Sequence, residues 1–281
     1  MRNVAVGLEL LTTGYCWALD AALRTGGKLK RVKVPASCAL IKHPQKGVIL
    51  FDSGYAEHFF AATRDFPYWL YRLLTPVRLE PEEAARSQLL RRGISPAEVR
   101  HIIISHLHGD HIAGLRDFFK ATFWLSADTD GELERRGLRA LRRGYLSGLL
   151  PPDFDLRARI LPPPGKLKDF GPFKEGSDLF GDGSLIAVAL PGHAAGQVGL
   201  LVRTETGRVL LAADACWHSR DLRDWAPPSR AARLLAHDPA ALCSSLAKLR
   251  ELRELHSEVS IVPAHCPEAL SAFYKSPKVA A

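Results

Sequence analysis

Residues 101–114 read HIIISHLHGDHIAG, an apolar run that breaks within six positions into His106, His108, Asp110 and His111. Alternate side chains of a strand share a face, so His106 and His108 project together from the end of the run, and Gly109 permits the tight turn that follows. Asp110 and His111 then stand at the entry of a helix, directed back across the same cavity. Imidazole and carboxylate donors crowded at a strand end suit Zn²⁺, and Fe²⁺ or Mn²⁺ are alternative occupants of such a set.

Four ligands on one loop do not satisfy two ions, and other strand ends carry further donors. His193 follows the apolar run 185–190 in the tripeptide PGH, Asp214 closes 209–213, and His265 closes 259–264. Each stands where open α/β sheets assemble ligands, at the end of a buried strand.

The surrounding chain reads as alternating elements. Residues 33–41 and 47–54 form a hairpin pattern ending in Asp52-Ser53-Gly54, a turn signature. Residues 55–79 gather aromatic side chains among prolines too frequent for one long helix; they suit an irregular satellite of the core, a lid or a dimer surface. A helix is expected over 81–92. The Ser95–Glu98 capping box then leads into the strand 101–105. Beyond it come a strand at 121–125, a basic helix at 129–145, a proline-rich loop at 150–165, short strands at 171–173, 184–189, 198–203 and 209–213, a helix over 239–255 and a strand at 259–263. The tripeptide 181–183, GDG, reads as a turn.

Composition narrows the class. The chain has 281 residues, 47% of them hydrophobic, and no apolar stretch approaches the ~18 that span a bilayer, so no membrane span is expected. The first residues interrupt their apolar letters with Glu9 and Thr12, unlike a secretory signal, and the five scattered cysteines lack any C-x-x-C spacing. A cytoplasmic location is the expectation. Net charge is +8, yet the arginines at 135, 136, 139, 142 and 143 spread over a broad helical arc, which favours a solvated face over a contact with an anionic partner. A small-molecule partner is expected, not nucleic acid.

HLHGDH at 106–111, PGH at 191–193, Asp214 and Ala264-His265 together resemble the metallo-β-lactamase superfamily over residues 50–265. The resemblance implies an α/β fold, a four-layer αββα sandwich, built as a single domain over 1–281. It also implies two Zn²⁺, one held by His106, His108 and His193 and the other by Asp110, His111 and His265, with Asp214 bridging and Asp52 holding a ligand from behind. Within the superfamily, TGYCWALD at 13–20, PASCALI at 35–41 and residues 87–114 are similar to the N-acyl-homoserine lactone lactonases.

The activity so implied is quorum quenching: two cations lower the pKa of a shared water toward ~7, and the resulting hydroxide opens a lactone or related ester, with Asp110 passing a proton to the leaving oxygen. An apolar acyl chain on the substrate would suit an aromatic lid at 55–79. Two departures bear on the mechanism. The lactonases carry a tyrosine three residues after the bridging aspartate, where this chain has Trp217. An indole donates one hydrogen bond and accepts none, so the role is altered, passed to His218, or lost. A second histidine common after PGH is also replaced, by the stretch AAGQ at 194–197. A thioesterase or phosphotriester hydrolase is the nearest alternative; an iron-dependent redox enzyme, a nuclease and a non-catalytic sensor stand further off.

Overall fold

The computed structural model describes residues 4–168, 170–224 and 227–275. They pack as two compact units. One comprises Glu9–Ala18 and Arg31–Ile160; the other comprises residues up to Leu8, Leu19–Lys30 and those from Leu161 on.

The first unit holds a seven-stranded sheet built from β1 (Gly7–Leu19), β2 (Arg31–His43), β3 (Gly47–Phe51), β4 (Val77–Arg78), β5 (Val99–Ile103), β6 (Thr122–Leu125) and β7 (Ala158–Ile160), in the order β4-β1-β2-β3-β5-β6-β7. The expected hairpin is present, with β2 and β3 antiparallel from Ala39↔Phe51 to His43↔Gly47. From β3 onward the neighbours run parallel, with Phe51 level with Ile103. Asp52 and the residues after β5 therefore leave the sheet at one level. Leu40, Leu50, Ile102 and Phe123 bury their side chains with Phe59, Leu89, Leu115 and Phe118 in one core, at about 1.5–3 kcal/mol per large apolar side chain. The Ser95 capping box forms, Glu98 accepting from the Ser95 N–H at 2.6 Å.

The second unit holds a six-stranded sheet of β8 (Gly165–Lys166), β9 (Glu175–Asp178), β10 (Leu185–Ala189), β11 (Val198–Thr204), β12 (Gly207–Ala213) and β13 (Ser260–Pro263), in the order β13-β12-β11-β10-β9-β8. All pairs are antiparallel except β12 with β13, which run parallel and bring Ala213 opposite Pro263. The helix Pro239–Leu255 starts where proline and the Asp238 cap place it, the carboxylate accepting from Ala240 and Ala241 N–H at 2.9 and 3.0 Å. Its Leu242, Leu246, Leu249 and Leu252 recur at helical spacing; all four are buried, and the last three pack with Val188, Leu201 and Leu210.

Several elements differ from expectation. The basic stretch 129–145 is not one helix but two short ones, Asp130–Leu133 and Gly137–Arg142, because the chain extends at Arg136 and turns through a positive φ at Gly137. The proline-rich loop 150–165 contains a helical turn, Phe154–Arg157, and β7, fixed by Arg157 donating to the Phe118 and Ala121 carbonyls. Residues 171–173 form a turn closed by Phe173 N–H on the Phe170 carbonyl, and the strand lies at β9 instead. The GDG turn is a carboxylate turn, Asp178 accepting from the Gly181 and Gly183 N–H groups at 2.9 Å each.

Asp20 ties the stretch after β1 together. Its carboxylate accepts from Arg24 Nε and Nη2 at 2.8 and 3.1 Å and from Lys28 N–H at 2.9 Å. The Arg24 guanidinium, opposed by burial, holds the carboxyl below its ordinary value. A depressed carboxylate contributes stability that is complete above the unfolded pKa and lost as the pH falls through the folded one. Asp20→Asn is expected to cost about 1–2 kcal/mol at neutral pH. In urea unfolding the gap between variant and parent should close on acidification, and a pH-independent gap would refute the linkage.

Candidate metal centre

In the first unit the ligand loop is built around one buried carboxylate. Asp52, at the left-handed φ of 60°, accepts from Ser105 N–H at 2.7 Å through Oδ1 and from Ser105 Oγ at 2.8 Å through Oδ2, where His111 Nδ1 also lies at 2.8 Å. These contacts settle the imidazole tautomers. His111 must donate its Nδ1–H to the carboxylate, leaving the Nε2 lone pair for a ligand. Ser105 spends its only hydroxyl proton on Asp52, so at 3.0 Å from His106 Nδ1 its oxygen accepts, and His106 likewise keeps a basic Nε2. The His106 ring lies 4.5 Å from the His108 ring and 4.1 Å from that of His111, and the ligand atoms of Asp110 and His111 come within 4.8 Å of each other. Sequence reading took Asp52 as the support but passed over Ser105, whose signal was only its place before His106. It also missed Gly144, which packs so closely on the His108 imidazole that a Cβ there would strike the ring.

The second unit gathers His193, Asp214 and His265. β12 and β13 end side by side, with Ala264 N–H on the Ala213 carbonyl at 3.1 Å. Ala213 takes a φ of 46°, rare for a residue with a Cβ, and so turns Asp214 out of the strand. One oxygen of that buried carboxylate, Oδ2, is met by His193 Nε2 at 3.2 Å, His265 Nε2 at 3.0 Å and Trp217 Nε1 at 3.1 Å. The Trp217 ring stands edge-on to the His193 ring, 5.5 Å away. His193 is placed by its neighbours: Gly192, at φ 127°, lies where a Cβ would fall on the Leu242 backbone, and Ser245 Oγ donates to the Pro191 carbonyl at 2.7 Å.

His218 faces elsewhere. Its Nδ1 accepts from Arg220 N–H at 3.1 Å and caps the helix Ser219–Arg223, while Nε2 lies 3.9 Å from Glu268. Cys266 accepts from Ser219 N–H at 3.3 Å and lies 3.1 Å from Ser219 Oγ. Burial raises its thiol, but hydrogen bonds from His218 and Ser219 outweigh that and bring it down to about 7. Cys216 donates to the His218 carbonyl at 3.1 Å, and burial pushes its thiol up.

The donor chemistry of both units suits a divalent metal: in the first, imidazoles of which His106 and His111 have an anchored Nδ1, and in the second, two imidazoles gathered on a carboxylate. The comparisons agree. The model of the metallo-beta-lactamase superfamily matches residues 31–265. The N-acyl homoserine lactonase AttM of Azorhizobium caulinodans is 30% identical over 253 residues, 87% of each chain. The probable metallo-hydrolase Rv2300c of Mycobacterium tuberculosis is 30% identical over 245 residues, 82% of this chain and 74% of that one. Among solved structures, an N-acyl homoserine lactone hydrolase with N-hexanoyl-L-homoserine at its catalytic metal centre superposes with a TM-score of 0.74, at 22% identity and 97% coverage of both chains. The chain belongs to the metallo-beta-lactamase superfamily and has its α/β fold. It is an enzyme, a metal-dependent hydrolase. No described helix is long and apolar enough to cross a membrane.

Proposed function

We propose that the enzyme is a dinuclear lactonase that opens N-acyl-homoserine lactones or closely related esters in the cytoplasm, with residues 1–281 acting as one catalytic domain. His106, His108 and His193 would hold one cation, Asp110, His111 and His265 the other, and Asp214 would bridge. The observation that carries this reading is the crowding of His193, His265 and Trp217 on one oxygen of Asp214. A carboxylate so surrounded is oriented before any metal arrives. Its support is the lactonase name of the AttM relatives, the dizinc description of a further lactonase sharing the fold at a TM-score of 0.64, and five free thiols that suit a reducing compartment.

Two zinc-class cations supply, when bound, a water acidified toward neutrality and a Lewis acid for the carbonyl. The chain's own groups do the rest. Asp52 and Ser105 fix the imidazoles through their Nδ1 atoms, and the Asp110 carboxylate, less buried than its neighbours, carries the proton to the leaving oxygen. Trp217 takes the sequence position of the lactonase tyrosine but serves by donating to Asp214, because an indole has one N–H and here it is given to that carboxylate.

The test is a substrate panel on protein of known metal content. Stripping with a chelator is expected to reduce lactone opening to background, and zinc is expected to restore it with two equivalents bound. Preference for thioesters or phosphotriesters over lactones would move the enzyme to another branch of the superfamily, and a single bound iron with visible absorbance would overturn the reading.

A further inference from the structure

Residues 66–74 place apolar side chains in water. The helix Trp69–Leu74 buries none of its residues, and Phe66, Trp69, Leu73 and Leu74 are 69%, 40%, 62% and 78% exposed. Isolated exposed leucines need no explanation, but four large apolar side chains within nine residues form a patch. Beside it runs a strongly basic stretch of the chain. Residues 134–143 hold five arginines and one glutamate, and Gly137 N–H donates to Tyr68 Oη at 2.9 Å. Phe66 and Trp69 on one side of that bond, and Arg136, Leu138 and Arg139 on the other, all lie within two residues of it. Leu138 is exposed, as are Arg136, Arg139 and Arg142.

We propose that this face docks on the anionic surface of a lipid bilayer, Phe66, Trp69, Leu73 and Leu74 entering the headgroup boundary and Arg139 and Arg142 meeting the phosphates. Aromatic rings are at home at that depth, aliphatic side chains gain from the acyl region just below, and each arginine gains from the negative leaflet. A nucleic acid would satisfy the arginines but would leave the leucines nothing to bury against, since its apolar contacts are stacking contacts with rings. A second copy meeting this face about a two-fold axis would set one basic stretch against another. The inference concerns where the enzyme sits and does not depend on which ester it opens.

Vesicle flotation of the full-length, zinc-supplemented protein tests it. Flotation is expected with equimolar phosphatidylcholine and phosphatidylglycerol, little with phosphatidylcholine alone, and less as salt is raised. Arg139→Gln with Arg142→Gln should weaken partitioning about thirty-fold, and Leu73→Ser with Leu74→Ser should abolish it, with circular dichroism and metal content unchanged in both pairs. Absence of flotation, or equal flotation of parent and variants, overturns the proposal. So does RNA binding that survives the serine pair and fails in the glutamine pair, or a dimer in light scattering that the serine pair dissociates. Because nothing in this experiment reads turnover, a failed lactonase assay leaves the docking result standing, and the converse holds.

Discussion

Asp214→Ala is expected to lose bound metal and hydrolysis together, with kcat/KM lower by about 10³-fold or more, the equivalent of several kcal/mol of electrostatic stabilisation at the reacting carbonyl. The reason is local. His193, His265 and Trp217 all address one oxygen of this carboxylate, so in the proposed centre its removal would take away one ligand and the reference point for two more. Asp214→Asn keeps an acceptor for the indole N–H and removes the charge. Trp217→Phe removes only the donor and should leave metal bound at reduced affinity. Metal content by mass spectrometry, read beside steady-state kinetics, ranks the three; an Asp214→Ala protein that retained its full metal would remove Asp214 from the centre.

The second large effect is expected at Asp52, which would touch no metal in this reading. Asp52→Ala strands three buried donors, the Ser105 amide, the Ser105 hydroxyl and His111 Nδ1, and leaves alanine at a positive φ that aspartate tolerates better. A loss of about 3–5 kcal/mol in chemical denaturation follows. Asp52→Asn is the more informative change. With its carbonyl on the Ser105 amide, its NH₂ faces His111 Nδ1, and two donors cannot share a hydrogen bond. The imidazole is driven to the other tautomer, its Nε2 gains a proton, and metal affinity should fall about 10–100-fold in chelator competition while the fold persists. Unchanged affinity in Asp52→Asn would refute the tautomer argument.

The candidate donors were legible because their chemistry is rare and their places are punctuated: three imidazoles and a carboxylate in six positions, then single donors closing apolar runs. The strands that carry them were legible for the same reason, since β5, β10, β11, β12 and β13 are short apolar runs bounded by polar or turn residues. What the sequence concealed depends on partners distant along the chain. Ser105 becomes a tautomer-setting group only because β3 delivers Asp52 level with the end of β5. His218, four residues past Asp214, has its Nδ1 held by a backbone amide two residues on, a bond that no sequence pattern marks. The stretch 129–145 looked like one helix because arginine and leucine are good helix formers, a local preference that the positive φ of Gly137 interrupts. β7 was hidden among prolines, and only pairing with β6 makes it a strand.

The interleaving of the two units has a consequence for biosynthesis. Val6 N–H finds its acceptor at the Arg203 carbonyl, Arg24 bridges Pro228, and Ser229 Oγ donates to the Ala22 carbonyl. A nascent chain elongating at about 5–20 residues per second exposes residues 4–8 and 19–30 roughly ten to forty seconds before those acceptors and donors are translated. β1, lying between the two waiting segments, has its own neighbours β2 and β4 within the first part of the message. The six-stranded unit thus places its earliest-made pieces only once residues 203–229 have been translated.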